Sequence, residues 1–430
     1  MILTTIVAQS LLRRANAIFE RYRNLSLIIR IIAGLIVGVA LGVLVPSWHF
    51  IGIFGQLFVG ALKGIAPILV FFIIMTAISK FERGDNSHIK TIVVMYVCGT
   101  VLSAALGIIA SFMFRIKLIL PEAAKVASPA PKDLGTVLSK LFVSAVSNPI
   151  AAMTDGNYLS ILFWALVIGA ALRHAGTGTK KVLTDFTNAV GRAASFIIEF
   201  APIGVAGLLY DTVSNTGFAG IAKYTQLVLL LVATMAVAYL GLYAFMVWLA
   251  TRQNPFPLTL WTLKESGIPA FFTRSGAVNI PINLGACKKL GLSEKSYAIS
   301  IPLGASANSG GAAITIAIMT LAACFTLGVH VTLPLAIILC LLTALASTGV
   351  SGIAGGSLLI IPMAASIFGI SNDIAMQVVG IGFIIGVIQD AVETAVNSAA
   401  DLLFTAAGEY HDLRKAGTPV DMNAVLRKIR

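Results

Sequence analysis

The stretch QDAVETAVNSAADLLF, residues 389–404, sets Asp390, Glu393, Thr394, Asn397 and Asp401 inside a strongly apolar run. A carboxylate near the middle of a membrane-crossing helix costs roughly 2.5–3.5 kcal/mol, and this run holds three. At about 100° per residue, Asp390, Thr394, Asn397 and Asp401 fall within an arc of about 60°, and Glu393 lies about 60° from Asp390. The polar groups therefore form one stripe on an otherwise apolar helix. Ser, Thr and Asn often make such a seam simply to join helices, but carboxylates join helices poorly without cations. Arg274 is the only Arg or Lys in either of two interrupted segments nearby in sequence. The stripe suits a ligand that neutralises it better than it suits packing.

A second polar stretch, SIPLGASANSGGAAITIAIM at 300–319, sets Asn308 between Gly304 and Gly310–Gly311. Helix is weak there, and freed carbonyls with Asn and Asp oxygens suit a hard cation such as sodium. Calcium would want more carboxylates converging on one loop. TRSGAVNIP (273–281) and STGVSGIAGGS (347–357) each break an apolar run in its middle. About 15 apolar residues on either side are too few for a crossing, so a pair of re-entrant hairpins fits. GLSEKSYA from Gly291 and GISNDIA from Gly369 follow the two breaks, 78 residues apart. Lys288, Lys289 and Lys295 flank the first copy and no Lys or Arg flanks the second, which predicts turns on opposite sides of the membrane. This is the pattern of an inverted repeat around a midplane site.

The chain that must position these segments has 430 residues, 58% hydrophobic and 11% charged, with mean hydropathy +0.93. A soluble chain carries roughly 25% charge, so an all-α polytopic membrane protein is predicted. The first six spans are expected at about 26–46, 52–79, 91–116, 144–172, 183–211 and 222–251, with the Pro motifs SNPI (147–150) and APIG (201–204) kinking two of them. Residues 121–140 are expected to form an extracytoplasmic loop. The net charge of +12 collects in connectors and at both ends, which predicts cytoplasmic termini and no nucleic-acid partner. A basic amphipathic surface helix is expected at 5–24, with no signal peptide, and Lys63 is expected to snorkel to headgroups. The four cysteines lack CxxC spacing, the five histidines make no metal motif, and no Ser–Lys or Ser–His hydrolase motif stands out, so no enzyme is expected. A passive pore would explain a polar stripe but not two broken hairpins around an acid cluster.

FFTRSGAVNIP, PLGASANSGGAA, STGVSGIAGGS and QDAVETAVNSAAD together resemble the dicarboxylate/amino acid:cation symporters, the glutamate-transporter fold, and within it the bacterial serine/threonine:sodium branch. The resemblance implies eight transmembrane helices plus two re-entrant helical hairpins, a homotrimer in membrane lipid of the cytoplasmic membrane, and an elevator motion. A transport core at 256–408 would follow scaffold helices at 26–255 (span 3 belonging with the core), between a basic segment at 1–25 and a tail at 409–430. Asp390 would receive the substrate α-ammonium, with Thr394 and Asn397 fixing its backbone groups and Asn397 the α-carboxylate. Ser275, Gly276 and Ala277 would offer backbone groups at the first hairpin tip, while Ile353, Ala354 and Gly355 would close the second. One sodium site would use carbonyls of Gly304, Asn308 and Asn397 with the Asp401 carboxylate. A second would use carbonyls of Ser306, Ser347, Thr348 and Val350.

Two departures from the family pattern direct the expected chemistry. Members that carry acidic amino acids have Arg where this chain has Glu393, so acidic substrates should be rejected and serine or threonine accepted, the hydroxyl donating to Glu393 or a nearby carbonyl. Arg274 would pair with Glu393 or Asp390 when the site is empty. Gly310 replaces the acid of a third sodium site, and Gly99 replaces a hydroxyl beside Tyr96 and Thr100, so one or two sodium ions are expected per substrate. Other small neutral amino acids or dicarboxylates are the alternative cargo.

Overall fold

A computed structural model describes residues 25, 27–80, 87–120, 143, 146–155, 157–216, 218–348 and 355–429. The expected N-terminal surface helix, the 121–140 loop, and Val350, Ile353 and Ala354 lie outside the described residues. Those residues form helices and connecting turns without a strand. Among the described residues, five helices are long and apolar enough to cross a membrane: His49–Thr76, His88–Phe114, Tyr224–Thr251, Glu294–Leu327 and Asn372–Lys415. A bent pair, Thr177–Ile198 with Ala201–Asn215, makes a sixth.

Two predicted spans differ in detail. The one expected at 183–211 bends by 51° at the break before Ala201 and Pro202, where proline leaves a helix N–H missing. The one expected at 144–172 is divided into Pro149–Asp155 and Tyr158–Ala171. Asn148 accepts from the amides of Ile150 and Ala151, and Asn157 accepts from that of Ser160, so each segment starts at its own asparagine cap. Both caps are local and readable in the sequence.

Helix contacts fall into two sets. Leu27–Leu44 packs on Ala201–Thr216, and Gly52–Ser79 packs on Ala201–Thr216, on Thr177–Ile198 and on Tyr158–Ala171. Backbones approach closely along this seam: a Cβ on Gly38 would stand 2.5 Å from the Ala206 carbonyl oxygen. Gly34, Gly38 and Gly42 recur at every fourth residue, the small-residue spacing that membrane helices use when they associate without a hydrophobic driving force. In the second set, Ser87–Phe114, Gly310–Leu327 and the segments 256–289 and 356–366 gather around Asn372–Lys415, while Leu333–Ser347 packs on Ser87–Phe114 and Gly310–Leu327. That last helix is buried over most of its length, unlike an ordinary lipid-facing span.

The interrupted segments break where glycine, asparagine and proline weaken them. Ile268–Thr273 ends at Arg274, whose φ of 51° reverses the chain, and Ser275 caps the next helix, Gly276–Lys289. Glu294–Ala307 gives way to extended backbone at Asn308 before Gly310–Leu327 begins. On the far side of 349–354, Gly355 has φ of 68° and leads through a 3-10 turn, Gly356–Ile360, into Ile361–Ser366. The repeated motifs behave alike: Gly291 and Gly369 take φ of 70° and 69°, then Ser293 and Ser371 start the next helices. Lys63 reaches Asp373 at the start of the last helix, forming an ion pair between two exposed side chains.

Candidate functional site

The polar stripe of the last helix faces the breaks in the other segments. Asp390 is the meeting point. Its Oδ2 accepts from Arg274 Nη2 at 2.5 Å and Nε at 2.7 Å, and its Oδ1 accepts from the Gly355 amide at 3.1 Å. One carboxylate thus holds a residue from each interrupted segment. Arg274 also donates to the Gly386 carbonyl at 3.3 Å, and its Nη1 is buried without an acceptor. The pair is closed off from solvent, with side chains 9% and 5% exposed. The cavity between Arg274, Gly355, Gly386 and Asp390, bounded by Leu27 and Ile31, measures about 10 Å³. That space suits one water at most, so the site is closed to anything larger.

Glu393, one turn on, has no cation partner among the described residues. Gln389 Nε2, Thr315 Oγ1 and Ser357 Oγ reach it at 2.5, 2.8 and 2.9 Å. Of the two carboxylates considered for Arg274, geometry selects Asp390. Thr394 directs its hydroxyl to the Asp390 carbonyl of its own helix at 2.8 Å. Asn397 accepts the Gly311 amide through Oδ1 at 2.8 Å, which fixes the orientation of its amide group. Its Nδ2 then remains available to a carboxylate. Ser275 spends its Oγ on the Val278 amide, Gly276 is buried, and Ala277 is exposed. Sequence reasoning missed Gln389, Thr315 and Ser357. A polar residue four positions before Glu393 on the same helix was a visible signal for Gln389 alone.

The expected oxygen cluster also comes together. Asn308 Nδ2 donates to Asp401 Oδ1 at 2.9 Å and to the Asn397 carbonyl at 3.3 Å, and the Asn308 amide donates to the Gly304 carbonyl at 2.9 Å. A Cβ on Gly304 would come within 2.8 Å of Asp401 Oδ1, so glycine is what allows the two helices to meet here. Among the described residues, Asp401 is buried with no cationic partner, and Asn308 Oδ1 and Ser309 Oγ are buried without donors. A buried carboxylate beside unpartnered neutral oxygens fits a small hard cation. Of the second expected set, Ser347 and Thr348 end the Leu333–Ser347 helix and return their hydroxyls to the Ala344 and Leu345 carbonyls, while Ser306 lies in the last turn of Glu294–Ala307. Val350, the fourth member of that set, lies outside the described residues.

Space for a further acid at position 310 is taken. Tyr243 Oη and Ser103 Oγ, 2.7 Å apart, crowd the position a Cβ on Gly310 would occupy. The Phe404 ring does the same at Gly99, at 2.7 Å. Tyr96 bonds to the Ser300 and Asp401 carbonyls at 3.1 and 3.2 Å and to Thr405 Oγ1 at 2.9 Å, and Thr100 returns its hydroxyl to the Tyr96 carbonyl at 2.9 Å.

Residues 27–409 match the sodium:dicarboxylate symporter family. A protein of Lacticaseibacillus paracasei described as serine/threonine transporter SstT is 62% identical over 409 residues, covering 95% of this chain and 94% of its own. Proteins of the same description from Enterococcus faecalis and Streptococcus agalactiae are 53% and 47% identical, covering 94% and 91% of this chain and 96% and 97% of theirs.

Proposed function

The chain belongs to the sodium:dicarboxylate symporter family, a family of multi-pass membrane transporters rather than enzymes, and we propose that it imports serine and threonine with sodium. The observation that carries this reading is the contrast between two carboxylates one turn apart. Asp390 is neutralised by Arg274, whereas among the described residues Glu393 meets neutral donors alone. A zwitterion offers Asp390 its ammonium in place of the guanidinium and offers the Asn397 amide its carboxylate. Thr394 turns from its own helix to the substrate backbone, and Ser275, Gly276 and Ala277 supply backbone groups from the first hairpin tip.

Glu393 then faces the side chain. A second carboxylate about 4 Å away would be repelled by about 4 kcal/mol at the effective dielectric of a protein site, a preference of nearly a thousandfold. A hydroxyl instead donates to it. This disfavours dicarboxylates and acidic amino acids as cargo, although the family description includes dicarboxylates. The relatives described as serine/threonine transporters support the same reading.

Asp401, with the carbonyls of Gly304, Asn308 and Asn397, binds one sodium ion. Carbonyls of Ser306, Ser347, Thr348 and Val350 bind a second when the second hairpin, with Ile353, Ala354 and Gly355 at its tip, closes over the substrate. The crowding at Gly310 and Gly99 supports one or two sodium ions rather than three. In this reading eight spans and two re-entrant hairpins form a scaffold, 26–255 with span 3 assigned to the core, and a transport core, 256–408. The core of each protomer in a homotrimer moves across the cytoplasmic membrane, with both termini on the cytoplasmic side.

Uptake into proteoliposomes driven by an inward sodium gradient, competed by serine, threonine, alanine and aspartate, tests the cargo directly. Wild type should be inhibited by the hydroxylated pair and not by aspartate, and Glu393→Arg should shift selectivity toward aspartate. If the arginine variant transports yet its selectivity does not move, the assignment of Glu393 to the side-chain subsite fails.

A further inference from the structure

The three donors around Glu393 converge on one oxygen. Gln389 Nε2, Thr315 Oγ1 and Ser357 Oγ all reach Oε2, and none of the described residues donates to Oε1. The arrangement is directional. Gln389 Nε2 also donates to Thr315 Oγ1 at 2.8 Å, so the threonine oxygen already accepts a bond and its own proton turns to the carboxylate. The Gly311 carbonyl, at 3.1 Å, is the longer alternative for that proton. Only the N–H side of the Gln389 amide can face a carboxylate, which leaves its Oε1 buried with no donor. A buried amide oxygen without a partner is costly, and an apolar side chain would join these helices without that cost. Packing alone does not account for the glutamine.

We propose that Gln389, Thr315 and Ser357 are positioning residues for side-chain selection: by fixing Oε2 they present the free Oε1 of Glu393 to the hydroxyl of a small β-hydroxy amino acid. The proposal rests on the reading that Glu393 faces the substrate side chain. Three bonds from three segments fix the carboxylate plane, so the remaining acceptor points one way and need not be ordered when substrate arrives. All three positioning residues are buried. Ser357 lies two residues beyond Gly355, whose amide holds Asp390. The segment that reaches over the ammonium receptor therefore also completes the acceptor for the hydroxyl.

The test uses the full chain in proteoliposomes with Thr315→Val, Ser357→Ala, Gln389→Met and Glu393→Gln. Half-saturation constants are measured for serine, threonine and alanine, alanine being read as a competitor where its uptake is slow. For Thr315→Val and Ser357→Ala the serine and threonine constants should rise about tenfold, the size of one lost charge-assisted hydrogen bond, with alanine within about twofold. A merely structural role would move all three substrates together. Ser357→Ala, at a site where the removed group is a single hydroxyl, keeps the test available if the helix variants do not fold. Should Glu393→Gln abolish the preference for serine over alanine while Thr315→Val and Ser357→Ala retain it, the positioning role is wrong and the underlying reading stands. Should Glu393→Gln itself leave the preference intact, both are overturned.

Discussion

Removing the Arg274 guanidinium should tighten serine binding. In the closed form Arg274 occupies Asp390 Oδ2 through Nη2 and Nε at 2.5 and 2.7 Å, so an arriving ammonium must first displace it. Charge-assisted hydrogen bonds contribute about 1.5–3 kcal/mol net, and two converging on one buried oxygen belong in that range. In Arg274→Ala the substrate no longer competes with that contact, so the serine dissociation constant should fall about 10- to 150-fold. The same change leaves Asp390 with only the Gly355 amide, an uncompensated buried charge that costs the empty protein about 3–5 kcal/mol. The variant should therefore melt earlier without substrate and gain more on adding serine than wild type does. Isothermal titration of purified protein at saturating sodium reads the affinity, and a thermal shift with and without serine reads the stability. A folded Arg274→Ala variant with unchanged or weaker serine affinity would refute the displacement argument.

Asp401→Asn should raise the sodium concentration for half-maximal serine uptake at least about tenfold, because the one carboxylate among neutral oxygens supplies most of the attraction for the ion. Titrating sodium at fixed serine checks this, and an unshifted curve would place the ion elsewhere. Gly310→Asp should lose about 1–3 kcal/mol of stability and gain no additional sodium ion per serine, because Tyr243 and Ser103 already fill that space. Adding Tyr243→Phe should restore part of the loss. Melting temperature and the charge moved per serine measure both, and a stable Gly310→Asp protein that carries more sodium would contradict the packing argument.

Much of the candidate site could be read along the chain because its cues are local. The acid stripe follows from the helical period alone, and the breaks at Arg274, Asn308 and Gly355 sit among the glycines and asparagines that weaken helix. The paired turns at Gly291 and Gly369 follow from a repeat visible in the letters. Even the division of the fourth predicted span was written locally, in the capping asparagines at 148 and 157, and so was the glycine spacing of the first helix.

What the sequence determined by itself was which residues are polar, which helix face they share, and where the backbone must leave helix, since hydrogen-bonding valence and side-chain period act over a few residues. Only the tertiary structure decided who meets whom. Arg274 chooses Asp390 across 116 positions, and Thr315 and Ser357 reach Glu393 across 78 and 36. Those pairings depend on how glycine-lightened helices approach and on which chain reversals bring a tip to the stripe. The physical reason is that inside a membrane a buried polar atom bonds to whichever partner packing delivers, and packing is settled by the whole assembly of helices.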